Sequence, residues 1–251
     1  MTTDVKIGER FRPVSATPSP ASGPAPVPAA LSACAANIRT RRGQTLALTF
    51  EGTEAVFVVR TGTLMLHLTL PDGSRQVVSI LYPGDVLRSA FVPPHTGALL
   101  SGVSAGEVLR LRWNVFGELA ARDGEVARYF EDALARQTAL QAIHMAAVGR
   151  LDCRQRVATF LIELALRSGV AAPCGGVAFE MPLTRIDMAD YLGLNADTLS
   201  RTMSGLKASG FVSHSERHRA VVRDFDALAA LTPAARSLMA LCGGRPADPA
   251  P

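Results

Sequence analysis

Residues 183–210, LTRIDMADYLGLNADTLSRTMSGLKASG, constrain this chain more than any other stretch. The residue types fall where two short helices joined by a tight turn need them. Thr184 is placed to cap a first helix, with Asp187 three residues later as a box-like partner. Met188, Ala189 and Leu192 give that helix an inner side, and Ala189 is small where two helices must cross closely. Gly193 supplies the tight turn between the helices, being free of the Cβ that restricts other residues. Leu194 plugs the core beneath the turn, Asn195 caps the second helix, and Leu199 is buried four residues into it.

The outer side of the second helix is polar. Asp197, Ser200 and Arg201 stand at i, i+3 and i+4, so they project together from the end of the helix that enters a major groove. An Arg can fork onto O6 and N7 of guanine, and a carboxylate can accept from N4 of cytosine. These three are the expected base-reading residues. Thr184, Arg185, Asn195, Thr198, Lys207, Arg217 and Arg219 are the expected contacts to the phosphate backbone, which set orientation. Between residues 200 and 223 five cations (Arg201, Lys207, Arg217, Arg219, Arg223) accompany one acid, Glu216. After Gly210 come Phe211-Val212, the polar run SHSERHR and Ala220-Val221-Val222-Arg223, which predict a strand, a turn and a strand. That hairpin is a wing. An amphipathic helix pair without a DNA role would not be followed by one.

The rest of the chain supplies context. Its 251 residues allow one large domain or two ordinary ones, and a hydrophobic content of 48% is ample for packed cores. Aromatics make up only 6%, so Leu, Val and Ala do most of the packing. The 26 Lys+Arg against 22 Asp+Glu suit a DNA-binding protein without singling one out. Cys34, Cys153, Cys174 and Cys242 lie far apart with no C-x-x-C, so zinc-ribbon and iron–sulfur spacings are missing and the thiols read as reduced and structural. The most apolar helical stretch, 157–166, contains Glu163 and is too short to span a membrane, and the opening MTTDVK has no apolar core behind its charges. The reading is a cytoplasmic protein with no membrane partner.

The texture divides the chain. Residues 12–30 carry six prolines among Ala, Ser and Gly, so 1–36 is expected to be a disordered arm. From 37 to 117 the pattern is β. Residues 44–50 alternate, 55–60 are an apolar run, and Leu64, Leu66, Leu68 and Leu70 alternate before the Pro71-Asp72-Gly73 hairpin signal. Strands at 75–81 and 103–111 follow, which suggests a small antiparallel roll. Residues 118–151 read as one long helix with an apolar side of Phe130, Leu134, Ile143, Ala147 and Leu151, whose natural use is a dimer seam. Residues 153–168 predict a helix stopped by Gly169, opening a winged helix-turn-helix domain at 152–235, with a tail at 236–251. The expected class is α+β.

The segment LTRIDMADYLGLNADTLSRTMSGLKASGFV resembles the helix-turn-helix of the Crp/Fnr superfamily, most of all its Fnr and FixK-type branch. Residues 62–85, GTLMLHLTLPDGSRQVVSILYPGD, are similar to that family's β-roll, and the likeness covers roughly 37–230. It implies a sensory β-roll, a dimerisation helix and a winged helix domain. It also implies a homodimer acting on inverted repeats in double-stranded DNA, often as an activator under low oxygen or nitrogen oxides, with RNA polymerase as a further partner. By the resemblance, Asp197, Ser200 and Arg201 occupy the base-reading positions. The branch usually carries Glu where Asp197 stands; the shorter carboxylate reaches less far, which leaves the base it contacts open. Thr202 is closer to the FixK type than to the Fnr type.

The family's known ligands each need residues that can be checked. A cyclic nucleotide needs a Gly-Glu-Leu cassette closed by Arg-Ser or Arg-Thr; Arg88-Ser89 is here, but no Gly-Glu-Leu precedes it. An oxygen-sensing cluster needs four thiolates with three near the N-terminus, where this chain has Cys34 alone. His67, His95 and His144 are open to haem, although a lone His is more often a core or surface residue. His214 and His218 fall in the hairpin and read as wing. The plainest account is a regulator with no cofactor and no nameable small-molecule ligand. Cys153, beside Arg154 and near Arg156, is the one candidate redox thiol. No enzyme is expected, because His67 lacks the neighbouring His and Glu that cupin metal chemistry uses.

Overall fold

The computed structural model describes residues 25–172, 175–216 and 219–244. The first half runs α1 (Ala29–Cys34), β1 (Ala36–Thr40), β2 (Thr45–Leu46), β3 (Thr49–Phe50), β4 (Thr53–Thr61), β5 (Leu64–Thr69), β6 (Arg75–Leu81), β7 (Val86–Arg88), β8 (Leu99–Gly102) and β9 (Gly106–Arg112). Two antiparallel sheets form from it. One has the order β1-β9-β4-β3 with β7 also on β4, and the other is β2-β8-β5-β6. Between them Phe57, Val59, Leu64, Leu66, Leu100 and Val108 make a sealed core. Each such side chain taken out of water contributes roughly 1.5–3 kcal/mol.

Both outer faces of this roll are covered as well. Val56, Val58, Leu109 and Leu111 pack under Phe116, Tyr129 and Phe130, which belong to α2 (Trp113–Arg122) and α3 (Gly124–Arg150). On the opposite side Met65, Val77, Ile80 and Tyr82 join a cluster with Phe160, Met188, Tyr191 and Leu192 of the C-terminal domain. The alternation read into residues 64–70 therefore fails halfway. The β5–β6 register shifts between Leu66 and His67. Leu64 and Leu66 face the roll core, Met65 faces the other domain, and Leu70 is 49% exposed.

The helix expected over 118–151 is two helices. Asp123 takes an extended conformation and its side chain accepts from the Glu125 N–H, ending α2 and capping α3. The apolar side named for a dimer seam is also corrected. Phe130 and Ala147 are buried within the chain, while Leu134 and Ile143 pack on its clusters. The same side of α3 satisfies open polar groups of the roll. Gln137 donates to the Val86 carbonyl and accepts from the Val86 N–H, both at 2.9 Å, and Gln141 donates to the Val78 carbonyl.

The second half comprises α4 (Cys153–Ser168), β10 (Val170–Ala171), β11 (Val177–Glu180), α5 (Arg185–Leu192), α6 (Ala196–Ala208), β12 (Val212–Glu216), β13 (Arg219–Val222), α7 (Phe225–Ala229) and α8 (Ala235–Cys242). Its sheet has the order β10-β11-β13-β12. Helix α4 starts with a reciprocal Asp152–Gln155 capping box. One expectation of disorder is overturned where residues are described. The arm read over 1–36 ends in α1, which begins right after Pro28 and buries Leu31. The tail read over 236–251 begins as α8, whose Leu238 is 1% exposed. Residues 1–24 and 245–251, where the rest of the arm and of the tail falls, lie outside the described residues.

Candidate nucleic-acid interface

Thr184 opens α5 by accepting from the Asp187 N–H at 3.1 Å while its hydroxyl donates to the Asp187 carboxylate at 2.7 Å. The helix ends at Gly193, with φ +60° in the left-handed region. A Cβ there would lie 3.2 Å from Val148 Cγ1. Asn195 accepts from the Thr198 N–H at 2.7 Å and starts α6, and Leu199 and Leu206 anchor the helix from below. Hence the turn chemistry read in the sequence is present atom by atom.

One side chain that sequence reasoning missed completes the turn. The Arg156 guanidinium donates to the carbonyls of Leu151, Leu192 and Gly193. It therefore ties the end of α3, the start of α4 and the α5–α6 turn together. An Arg in the first turns of a helix reads as a surface residue, and no pattern in the sequence marks it otherwise.

On α6, Asp197 and Arg201 are exposed, Ser200 is half-buried beside them, and Lys207 is exposed toward the helix end. Thr184, Arg185 and Asn195 are exposed on the adjoining surface, and Thr198 is half-buried. Arg219 is exposed on β13, while Arg217 lies outside the described residues. Among the described residues no hydrogen bond or ion pair engages the side chains of Asp197, Ser200, Arg201, Arg185 or Lys207. Thr202 is different, because its hydroxyl donates to the Thr198 carbonyl at 2.8 Å. Strands β12 and β13 form the hairpin after α6, with a bulge between His214 and Glu216.

Beneath this surface lies a polar junction of the roll, α3 and the C-terminal domain. Asp85, 1% exposed, pairs with Arg167 of α4 at 2.6 Å and with Arg136 of α3 at 3.4 Å, and accepts from the Tyr82 N–H. Tyr191 of α5 stacks on His144 at 3.9 Å and donates to Glu163 over 3.5 Å. A cavity of about 20 Å³, room for one water, is lined by Asp85, Glu163, Arg167 and Tyr191. Burial pushes the Glu163 carboxyl up to about 7 and the His144 imidazole down to about 4. One sign of this site is legible beforehand: Glu163 interrupts the most apolar helical stretch of the chain.

The candidate ligand residues of the roll are occupied otherwise. Arg88 pairs with Glu54 and lies 3.6 Å over the Trp113 ring, and the Ser89 hydroxyl oxygen accepts from the Ala55 N–H. His67, His95 and His144 sit on β5, on the loop before β8 and on α3. Cys153 is half-buried in a groove of about 420 Å³ with Asp152, Arg154, Thr202 and Ser209. Its neighbouring cations point elsewhere. Arg154 lies over the Phe211 ring, and Arg156 is held by the carbonyls already named.

A helix pair joined through a left-handed glycine and followed by a two-stranded wing is a winged helix-turn-helix, the class that docks its second helix in a DNA major groove. Comparison with known proteins gives the family. Residues 155–231 match the Crp-like helix-turn-helix domain. The transcriptional activator protein FnrL of Cereibacter sphaeroides is 30% identical over 189 residues, 73% of this chain and 75% of that protein. The nitrogen fixation regulation protein FixK of Azorhizobium caulinodans is 29% identical, over 70% of each chain. Among solved structures, FixK2 of Bradyrhizobium japonicum superimposes with a TM-score of 0.66 at 28% identity, over 79% of this chain and 97% of that one. The chain belongs to the Crp/Fnr family of DNA-binding transcription regulators, on its FixK branch; the members of this family are regulators rather than enzymes.

Proposed function

We propose that this protein is a homodimeric transcription activator that reads an inverted repeat through α6, with Asp197, Ser200 and Arg201 contacting bases. One observation carries the reading: three polar side chains share an outward side of a helix whose inner side is fully anchored, and none has a partner among the described residues. Thr184, Arg185, Asn195, Thr198, Lys207, Arg217 and Arg219 then hold phosphates around them. Activation follows the activator named among the relatives, and RNA polymerase is the partner that an activator would engage. The working compartment is the cytoplasm; among the described residues no helix is long and apolar enough to cross a membrane. We assign the domains as an arm, a β-roll, a dimerisation helix and a winged helix domain. The boundary falls between α3 and α4.

The dimer seam is supported by a second pattern on α3. Ala135, Thr138, Ala142, Met145 and Gly149 are exposed, with Met145 at 66%, and they repeat at alternating steps of three and four. That is the heptad spacing of a two-helix seam. Small residues there let two copies of α3 approach closely. Ala142→Glu places two like charges across the seam and should convert a dimer to monomer in equilibrium sedimentation while leaving the fold intact. A wild-type protein that sediments as a monomer at micromolar concentration contradicts the homodimer.

DNA reading is tested by titrating duplexes carrying TTGAT-type inverted repeats against shuffled duplexes over a range of salt. Preference for the repeat that persists as salt rises supports the assignment. Equal affinity for both duplexes at every salt concentration refutes it.

A further inference from the structure

Helix α5 carries an electrostatic difficulty for a DNA-binding element. In a helix-turn-helix the first helix crosses the phosphate backbone, and Asp187 stands in the first turn of α5 with Asp190 one turn on. Both carboxylates would repel phosphates approaching Thr184 and Arg185. The counter-charge comes from outside the domain. Arg75, the first residue of β6 on the roll, donates to Asp187 at 2.6 Å and reaches Asp190 at 3.4 Å. Gln76 beside it donates to the Asp190 carbonyl. Burial works against the Asp187 charge, but the Thr184 hydroxyl and Arg75 together hold its carboxyl below the usual range. The contact forms a chain from Thr184 through Asp187 to the roll.

This contact leaves the reading surface open. Asp197, Arg201, Arg185 and Thr184 are all exposed while Arg75 is engaged. The contact with Arg75 and an open reading surface are therefore compatible.

We propose that Arg75 is a positioning residue for DNA binding: a β-roll arginine that neutralises the two acids of α5 and fixes that helix for the phosphate backbone. The DNA-binding unit then extends beyond the winged domain to the β5–β6 hairpin of the roll. This rests on the reading of α5 and α6 given under Proposed function.

The test uses the full-length protein, the inverted-repeat duplex and four variants, with the binding constant measured against salt. Arg75→Ala should weaken binding about fivefold at low salt. The deficit should shrink as salt screens the uncompensated carboxylates. Arg75→Lys should keep most of the affinity, and adding Asp187→Asn to Arg75→Ala should recover most of the loss. Arg75→Ala with wild-type affinity at low salt overturns the proposal. So does a deficit equal at all salt concentrations and unrelieved by Asp187→Asn, which marks a loosened domain contact only. Arg201→Ala is the control for the underlying reading. If it binds as wild type, the assignment of α6 fails; if it weakens binding while Arg75→Ala does not, only the role of Arg75 fails.

Discussion

Arg167 and Arg201 sit on α4 and α6, neighbouring helices of one small domain, and meet opposite surroundings. The Arg167 side chain is 6% exposed, paired with Asp85 of the roll and stacked on Tyr82. Arg201 stands in solvent with no partner among the described residues. The first holds the domain onto the roll, and the second is available to something outside the chain. The roll repeats the lesson. Arg88, the cation that a bound phosphate would require, is held by Glu54 and Trp113. A charge already paired inside the fold has little left to offer a ligand, so the surface of α6 is where recognition is placed.

Substitutions at the two arginines should separate these roles. Arg167→Met leaves the enclosed Asp85 short of its main partner and should destabilise the fold by about 3–5 kcal/mol in denaturant titration. Asp85→Asn combined with Arg167→Met should cost clearly less than that single change, because no uncompensated charge remains. A loss under 1 kcal/mol for Arg167→Met would mean that the junction is not holding the two domains.

The next effect is on pH. Glu163 is raised from 4.5 to about 7 in the fold, so the stability it contributes is whole below about pH 4.5 and is lost as pH rises through about 7. Glu163→Gln should therefore overtake wild type at pH 8, by up to about 3 kcal/mol, and flatten the profile. His144 has the opposite sign. Lowered from 6.5 to about 4, chiefly by burial, it contributes stability above pH 6.5 that is lost as pH falls toward 4. His144→Phe should be less sensitive to acid over that window. Identical profiles for Glu163→Gln and wild type would remove Glu163 from the account.

Gly193→Ala comes third. It forces a Cβ into a left-handed turn beside Val148 and should cost about 1–2 kcal/mol, read as a lower thermal midpoint. The smallest effect on stability belongs to Arg201→Ala. With nothing inside the fold to lose, it should stay within about 0.5 kcal/mol of wild type.

Local signals made the helix-turn-helix readable before any coordinates. Thr184, Gly193 and Asn195 act on atoms within a few residues of themselves, and each does what its type and spacing indicate. The predicted helix at 153–168 likewise matches α4, which carries its own capping box. What sequence reasoning missed depends on distant partners. The double-sided burial of β5 arises because another domain covers its outer face, which alternation along one strand does not report. The apolar side of α3 was legible, but its partner was the chain itself rather than a second copy. Arg75 lies 112 residues from Asp187, and Asp85 lies 82 from Arg167, so each reads alone as a surface charge.

The central claim is that Arg201 reads a base rather than merely adding charge. Its direct test compares wild type with Arg201→Ala on the inverted repeat and on duplexes changed one base pair at a time. The account predicts a loss of about 1–3 kcal/mol for the variant, confined to the symmetric base pair in each half-site where wild type discriminates and the variant does not. A uniform loss across every duplex, with discrimination unchanged at all positions, would show that Arg201 contacts only phosphate and would contradict it.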